Sequence, residues 1–255
     1  MDHIRFDLRD RVGTITLNRP EKLNAVTPEM SDALVAHVNE WNRRDDVHVV
    51  VLAAVGEKAF CAGSDIKELD SYKTPWEFRN RPDYCDAIRA LVKPVVCAIN
   101  GYALGGGLET AMSCDIRIAS DTAVFGSPEV KLGWIGGGGM AYMLAHSIGA
   151  SNASMMLMTG DFISAQQALQ WGLVSELHPV GQLHERAQAI AATIASRPPI
   201  AIETAKANMR AAYTMPLEMA IQYERDLQTV CFATEDAAEG RAAFKERRPA
   251  VFKRR

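Results

Sequence analysis

Residues 100–139 read NGYALGGGLETAMSCDIRIASDTAVFGSPEVKLGWIGGGG and contain two glycine clusters, each close to an acidic residue. The clusters are residues 105–107 and 136–139, and the acids are Glu109 and Glu129. The apolar run KPVVCAIN before the first cluster indicates a buried strand, and LETAMS after it indicates the start of a helix. We therefore predict a strand-to-helix turn, where glycine lets backbone N–H groups approach a ligand and the helix N-terminus favours negative charge.

The two acids have a functional and a simpler interpretation. Glu129 follows a Ser-Pro turn after the strand-like segment TAVF, so its carboxylate can reach the place occupied by Glu109 from another loop. Two carboxylates around one cavity often perform acid and base chemistry on a single water molecule. Taken alone, Glu109 fits a helix-capping acid and Glu129 an exposed turn residue. The occurrence of both acids and both glycine clusters in one apolar stretch favours the functional interpretation.

The composition, 48% hydrophobic and 23% charged, is that of an ordinary soluble globular protein. A chain of 255 residues can bury a large core, either as one α/β domain or as a domain with an appendage. The net charge of −3 argues against a nucleic-acid surface covering the whole domain. We therefore expect no nucleic-acid partner, and interpret the basic tail FKERRPAVFKRR as a solvated end.

Cysteine usage and apolar runs predict a cytoplasmic location. The five cysteines have no CxxC spacing and lie mostly in apolar segments, as reduced core cysteines do. The N-terminal MDHIRFDLRD carries acids and no long apolar run, so no secretory signal is predicted. No apolar window is long enough for a membrane span, and we expect no membrane partner.

The N-terminal half alternates strands and helices. Residues 4–8 and 12–17 alternate apolar and polar side chains and predict a hairpin. Thr27, Pro28 and Glu29 form a helix start, with an N-cap, a proline in the first turn and an early acid. Residues 47–55, VHVVVLAAV, are apolar throughout, which indicates a central strand covered on both faces. This order predicts an α/β fold with parallel pairing.

The segment GEKAFCAGSDIKEL, residues 56–69, repeats the arrangement of the first glycine cluster. Gly63 and Ser64 fall where a buried strand gives way to a polar helix start, although Gly63 could serve only a turn and Asp65 only a cap. Two loops that each present backbone N–H groups could form an oxyanion hole. Residues 71–81, SYKTPWEFRNR, have no clear period and predict a mobile flap or a pocket wall.

From residue 182 onward the pattern is almost purely helical. We predict a boundary near residue 195, between a core of residues 1–195 that holds the site and a helical region of residues 196–255. Stripes of Leu, Met and Ala on these helices are usual for a core, and they equally suit packing against a second subunit.

Several other chemistries lack their sequence patterns. The six histidines are scattered without HxH or HxxxH spacing, so no metal site is predicted. GxGxxG, the P-loop pattern and GxSxG are all absent, which disfavours dinucleotide binding, nucleotide triphosphate binding and a serine nucleophile. A glycosidase also uses two carboxylates, but the aromatic platforms for a sugar are missing.

The motifs FCAGSDIKEL, NGYALGGGLETAMSCDIRIAS and FGSPEVKLGWIGGGG resemble those of the enoyl-CoA hydratase/isomerase (crotonase) family. The similarity extends from TLNRPEKLNA to FKERRPAVF, nearly the whole chain. It implies a crotonase-like α/β spiral of ββα units, a helical C-terminal oligomerisation region, and a homotrimer or dimer of trimers. It also implies an acyl-CoA substrate and no metal or redox cofactor.

Matched motif to motif, the family's oxyanion-hole N–H groups fall on Ser64 and Gly106, and its two hydratase glutamates on Glu109 and Glu129. The resemblance implies that Glu109 acts as base toward water and that Glu129 delivers a proton to the α-carbon of a 2-enoyl-CoA. The segments that would line coenzyme A contain Lys22, Leu23, Ala25, Ala62, Ser64, Asp65, Ile66 and Gly106, with Lys253 reaching the phosphates from a neighbouring subunit.

Three alternatives stay open within the resemblance. Retention of Glu109 beside Glu129 favours a hydratase over a double-bond isomerase, but some relatives with both acids isomerise slowly. Arg79 and Arg81 in the flap could meet a polar or carboxylated acyl group. A CoA-binding relative with little catalysis is the third alternative. One departure is visible, because Gly136 stands where relatives often have proline.

Overall fold

The fold is known from a computed structural model that describes residues 3–255. Met1 and Asp2, with which the expected core region begins, lie outside the described residues. The strands are β1 (Ile4–Arg9), β2 (Val12–Leu17), β3 (Val49–Ala54), β4 (Ala59–Cys61), β5 (Val95–Ile99), β6 (Tyr102–Leu104), β7 (Ile116–Ser120), β8 (Val124–Gly126), β9 (Phe162–Ser164) and β10 (Glu176–His178).

The α-helices are α1 (Pro28–Arg43), α2 (Ile66–Leu69), α3 (Pro75–Arg79), α4 (Tyr84–Ala90), α5 (Gly106–Met112), α6 (Met140–Ile148), α7 (Ala150–Thr159), α8 (Ala165–Trp171), α9 (Val180–Ala195), α10 (Pro199–Ala211), α11 (Leu217–Phe232) and α12 (Glu235–Glu246). Short 3-10 helices occupy Pro20–Lys22 and Pro128–Leu132. The predicted start of α1 is confirmed, because the Thr27 hydroxyl accepts a hydrogen bond from the Met30 N–H.

The strands form two sheets. A six-stranded sheet has the order β1-β2-β3-β5-β7-β10, and a four-stranded sheet has the order β4-β6-β8-β9. The predicted hairpin is confirmed as the antiparallel pair β1 and β2, and the predicted central strand is confirmed as β3, whose first five residues are buried. The remaining pairs of the larger sheet are parallel, as the α/β alternation predicts.

Successive strands alternate between the two sheets. The pairs β3 and β4, β5 and β6, and β7 and β8 each place their first strand in the larger sheet and their second in the smaller. A helical segment follows each pair. This repetition is the expected ββα spiral, and it stacks three short parallel strand ends along one edge of the smaller sheet.

The prediction at the first glycine cluster was wrong in one detail. The strand KPVVCAIN contains β5, but a further strand, β6, separates it from the glycines, and β4 likewise lies between β3 and Gly63. Each of these strands has three residues. A run so short carries no recognisable period, so only its place in the second sheet makes it a strand.

The C-terminal helices lie in two environments. Helix α9 packs Leu183, Ala187 and Ala191 on the larger sheet, whereas α11 buries none of its residues within the chain. Leu217 and Phe232 of α11 are 71% and 64% exposed. The helical C-terminal region is confirmed, and the division at residue 195 stays a prediction. Within residues 3–255, no helix combines the length and apolar character that a membrane crossing requires.

Candidate active site

Three loops that follow β4, β6 and β8 line one cavity of about 1060 Å³. The β4 loop contributes Gly63 and Ser64, the β6 loop contributes Gly105 and Gly106, and the β8 loop contributes Glu129. These three strands are parallel, so their carboxyl ends lie along the same sheet edge, where ligands of α/β proteins bind. The four residues with predicted catalytic roles, which include Glu109 on α5, all line this cavity.

The backbone amides of Ser64 and Gly106 differ from those of their neighbours. Over residues 3–255, neither N–H donates a hydrogen bond, whereas the flanking Asp65 N–H donates to the Val26 carbonyl. Gly63 lies between the two loops with φ of +94°, and a β-carbon there would be 2.9 Å from the Gly106 nitrogen. Glycine at position 63 therefore lets the β4 loop approach the backbone of Gly106 closely.

Glu109 lies in the first turn of α5 and is 5% exposed. Its Oε1 accepts hydrogen bonds from the N–H groups of Gly138, at 2.8 Å, and Met140, at 3.1 Å. Backbone N–H groups in and just after the second glycine cluster thus bind one oxygen of the carboxylate. Burial raises the pKa of Glu109 and the charge of Glu129 raises it further, while the two N–H bonds act in the opposite direction.

Glu129 lies in the 3-10 helix after β8 and is 8% exposed. Its Oε2 accepts a hydrogen bond of 2.8 Å from the Ser127 hydroxyl. Within the described part of the chain, Glu109 Oε2 and Glu129 Oε1 have no hydrogen-bond partner, and neither carboxylate has an ion-pair partner. Each acid is therefore fixed through one oxygen.

The residues predicted to line coenzyme A divide into two groups. Ala62, Ser64, Ile66 and Gly106 line the cavity. Lys22, Leu23, Ala25 and Asp65 lie beside it without lining it, and Leu23 is tied to the cavity loop because its carbonyl accepts from the Ala62 N–H at 3.0 Å. Lys253 lies away from the cavity in the C-terminal tail, where its backbone N–H donates to Asp236 Oδ1 at 2.7 Å.

The sequence analysis did not identify Arg19, whose side chain contacts Ala25 and Asp65 of this second group. Its guanidinium pairs with Asp65 Oδ2 at 2.8 Å and donates to the Ala25 carbonyl at 3.2 Å. The pair is largely buried and lowers the pKa of Asp65. The signal was present in the segment TLNRPEKLNA, where an arginine precedes the loop, but nothing in a sequence pairs it with a residue 46 positions away.

Other cavity residues also escaped the sequence prediction. Tyr84 on α4 lines the cavity and contacts Ser64, and Ser127 holds Glu129.

Residues 71–81 contain the short helix α3, and Phe78, Arg79 and Arg81 line the cavity, so the pocket-wall interpretation of this segment is confirmed. No group of three or more His, Cys, Asp or Glu side chains in residues 3–255 is arranged to hold a metal ion.

Comparison with known proteins places this geometry in a family. The sequence profile of enoyl-CoA hydratase/isomerase matches residues 7–255. The chain belongs to that family. The mitochondrial enoyl-CoA hydratase of Pongo abelii is a family relative that is 42% identical over 243 residues, which cover 95% of this chain and 83% of that protein. The family resemblance drawn from the sequence motifs is therefore confirmed.

Two further family relatives match over a larger share of their own length. The (E)-benzylidenesuccinyl-CoA hydratase of Thauera aromatica is 38% identical over 262 residues, which cover 98% of both chains. The crystal structure of an enoyl-CoA hydratase from Bacillus anthracis superposes with a TM-score of 0.93, at 36% identity and with full coverage of both chains. The crotonase-like fold is confirmed by this likeness.

Proposed function

We propose that this protein is an enoyl-CoA hydratase, which adds water across the double bond of a 2-enoyl-CoA thioester to give a 3-hydroxyacyl-CoA. One observation carries the proposal. Counting partners among residues 3–255, Glu109 and Glu129 each have one oxygen held by the protein and one oxygen without a partner, in a cavity that also contains two amides without acceptors. That arrangement matches a reaction that moves two protons and stabilises one oxyanion.

The amides of Ser64 and Gly106 serve as the oxyanion hole in this proposal. Both N–H groups donate to the thioester oxygen of the substrate, on which negative charge develops as the double bond is attacked. Their backbone positions are fixed before the substrate binds, since both loops follow strands of one sheet. Preorganised donors of this kind contribute roughly 3 kcal/mol each to the stability of a transition state.

The two carboxylates carry the proton transfers. Water held between them attacks the β-carbon and gives one proton to Glu109, which acts as the base. The electron pair of the double bond moves toward the thioester carbonyl, and the α-carbon then takes a proton from Glu129, which enters the step as the protonated acid. Glu109 afterwards loses its proton and Glu129 regains one, so the net change is the addition of one water molecule. No redox or metal chemistry is required.

The coenzyme A part of the substrate acts as the handle. We propose that it lies along Lys22, Leu23, Ala25, Ala62, Asp65 and Ile66, with Lys253 of a neighbouring subunit near its phosphates. A homotrimer or dimer of trimers would supply that subunit, and the exposed apolar side chains of α11 suit such packing. We also propose a cytoplasmic location. Analytical sedimentation tests the oligomeric state, and cell fractionation tests the location.

The proposal is tested by the loss of conjugated-thioester absorbance from crotonyl-CoA. Rapid loss in the wild type, with a large decrease in the Glu109→Gln and Glu129→Gln variants, is the expected result. Migration of a double bond in a 3-enoyl-CoA that depends on Glu129 alone would instead indicate an isomerase. Binding of coenzyme A without either reaction would indicate a relative with little catalysis.

A polar acyl group is the second candidate substrate class. Arg79 and Arg81 line the cavity, and Arg81 lies 4.2 Å above the Phe78 ring. The Thauera aromatica relative is named for a benzylidenesuccinyl thioester. If this chain accepts a carboxylated acyl group, the Arg79→Met variant should raise KM for a carboxylated enoyl-CoA and leave KM for crotonyl-CoA unchanged. Equal effects on both would exclude the arginine as a specificity residue.

A further inference from the structure

Tyr84 places a hydroxyl group at the wall that carries the two candidate oxyanion donors. The residue begins α4, is 7% exposed and lines the cavity. Its hydroxyl oxygen lies 3.0 Å from Ser64 Oγ. A β-carbon at position 106 would lie only 2.0 Å from the same oxygen, so Tyr84 fits only because residue 106 is glycine.

The hydrogen bonds of these two hydroxyl groups leave one hydrogen unused. Tyr84 and Ser64 each carry one O–H, and the contact between them uses one of the two hydrogens. Throughout residues 3–255, neither hydroxyl has another hydrogen-bond partner. One O–H is therefore left beside the N–H groups of Ser64 and Gly106. Burial raises the pKa of Tyr84 well above its ordinary value, so the phenol keeps its proton at neutral pH.

We propose that the hydroxyl pair of Tyr84 and Ser64 is a third hydrogen-bond donor to the thioester oxygen, beside the two backbone N–H groups. The inference rests on the proposed hydratase function. The unused O–H strengthens its bond as charge accumulates on the oxygen, because hydrogen bonds to charged acceptors are stronger than those to neutral ones. The pair therefore stabilises the enolate more than the bound substrate, which raises kcat rather than affinity.

A merely structural role for the hydroxyl pair makes a different prediction. If the bond only fixes the distance between α4 and the β4 loop, removal of either hydroxyl breaks it completely, and removal of the second changes nothing more. If the pair donates, each single variant keeps one O–H that can still reach the substrate. Only the double variant then lacks the donor.

The test compares Tyr84→Phe, Ser64→Ala and the double variant in the hydration of crotonyl-CoA. Both substitutions remove a hydroxyl and preserve the backbone N–H of residue 64. We expect each single variant to lose a few-fold in kcat and the double variant roughly 100-fold, as for loss of one oxyanion-hole donor. KM should change little. Tyr102→Phe, a tyrosine substitution in β6 outside the cavity lining, is the matched control.

A spectroscopic readout reports the hydrogen bonds to the thioester directly. Cinnamoyl-CoA has a conjugated carbonyl, and donors to its oxygen shift its absorption to longer wavelength when it binds. We expect the red shift to persist in the single variants and in Tyr102→Phe, and to shrink in the double variant. A double variant with the wild-type red shift, or with a kcat no lower than the worse single variant, would overturn the proposal.

A strengthened donor provides an independent test without loss of packing. Site-specific 3-fluorotyrosine at position 84 makes the phenol more acidic and should increase the red shift of bound cinnamoyl-CoA. An unchanged or smaller shift counts against the donor role. Failure of the proposed function is distinguishable, because it would appear as a wild type that binds coenzyme A but does not hydrate crotonyl-CoA.

Discussion

Two buried groups of charged residues differ in how their charges are balanced. In the cavity, Glu109 and Glu129 are two acids without a cation partner among residues 3–255. On α10, Glu203 pairs with Lys93 and Lys206 pairs with Asp115, both at 2.6 Å. The lysine side chains are 0% and 4% exposed, so the two lysines are as well buried as the cavity acids, while their partners Glu203 and Asp115 are 18% and 28% exposed.

The paired cluster has a structural purpose. Lys206 also donates to the Lys93 carbonyl at 2.7 Å, and Arg254 donates to Glu203 at 2.9 Å. These bonds tie α10 and the C-terminal tail to the segment that precedes β5. Three basic side chains of the tail region, Arg248, Arg254 and Arg255, are paired with acids, so much of its positive charge is balanced within the chain.

The contrast separates ionisable residues that are buried for chemistry from those that are buried for structure. Burial of a charge is costly, and proteins that bury charges for structural reasons pair them. Among residues 3–255, the cavity acids have backbone N–H and hydroxyl donors but no cation, and burial raises the pKa of Glu109. Buried acids with a perturbed pKa and without a cation partner are typical of groups that take part in chemistry.

The largest expected effect is a loss of kcat when either cavity acid is replaced. Glu109→Gln and Glu129→Gln should each lower kcat for crotonyl-CoA by roughly 1000-fold, the range for loss of a general acid or base. Neither variant should unfold, because glutamine has nearly the same shape and keeps an acceptor oxygen for the existing donors. Steady-state kinetics and circular dichroism of the same preparations check both statements. A variant with near wild-type kcat would remove that glutamate from the mechanism.

The second effect is a loss of stability when one lysine of the paired cluster is replaced. Lys206→Met should destabilise the protein by about 1.5–3 kcal/mol, because it leaves Asp115 without its cation and the Lys93 carbonyl without a donor. Urea unfolding measures the loss, and kcat per folded molecule should stay at the wild-type value.

An exposed ion pair supplies the matched control for that experiment. Lys131 and Asp161 lie 3.1 Å apart with side chains 51% and 74% exposed, so Lys131→Met should change stability by less than about 1 kcal/mol. If Lys206→Met were no more harmful than Lys131→Met, burial would not be the property that separates the two kinds of pair.

The third effect sharpens the description of the cavity group. Ser127→Ala removes the hydroxyl that fixes Glu129 Oε2, and should lower kcat roughly tenfold, since a hydrogen bond to a charged group contributes about 1.5–3 kcal/mol. Ser120, also buried, donates instead to the Asn100 carbonyl at 3.2 Å. Ser120→Ala is the control, and should affect stability without a comparable loss of kcat. Equal kcat in both variants would show that Ser127 does not position the acid.

The sequence predicted the cavity acids better than their surroundings. Glu109 and Glu129 stand in motifs with glycine and proline, and the strands before them are apolar, so local pattern alone indicated a strand-end site. Ser127 and Tyr84 carry no such pattern, because a serine in a turn and a tyrosine in a helix are common in any fold. Their roles depend on contacts between segments, such as the bond from Tyr84 to a residue 20 positions earlier.

The paired cluster shows the same limit at longer range. Lys93 meets Glu203 across 110 positions, and Lys206 meets the Lys93 carbonyl across 113. In the sequence these lysines look like ordinary solvated charges, one before a strand and one within a helix. Hydrophobic periodicity indicates which face of an element is buried, but it does not indicate which buried charges meet. The strand order of the larger sheet and the place of α10 decide that.

The smallest effect concerns stability and the pH at which it is measured. Because the pKa of Glu109 is raised in the folded chain, the folded state binds this proton more readily than the unfolded state. The resulting stabilisation is present below the ordinary value of 4.5 and is lost as the pH rises through the raised value. At neutral pH the wild type therefore carries a penalty that Glu109→Gln, which is neutral at every pH, does not.

Thermal unfolding of the two proteins measures this penalty. We expect Glu109→Gln to melt above the wild type at pH 7, by roughly 2–4 °C for each 1 kcal/mol gained, and the difference to shrink as the pH falls through the raised pKa toward 4.5. The inactive variant would then be the more stable protein, as expected where burial of an unpaired acid serves catalysis. A variant that melts below the wild type at pH 7 would mean that the N–H bonds from Gly138 and Met140 outweigh the cost of burial. The cavity acid would then be a stabilising group, and its contrast with the paired lysines would fail.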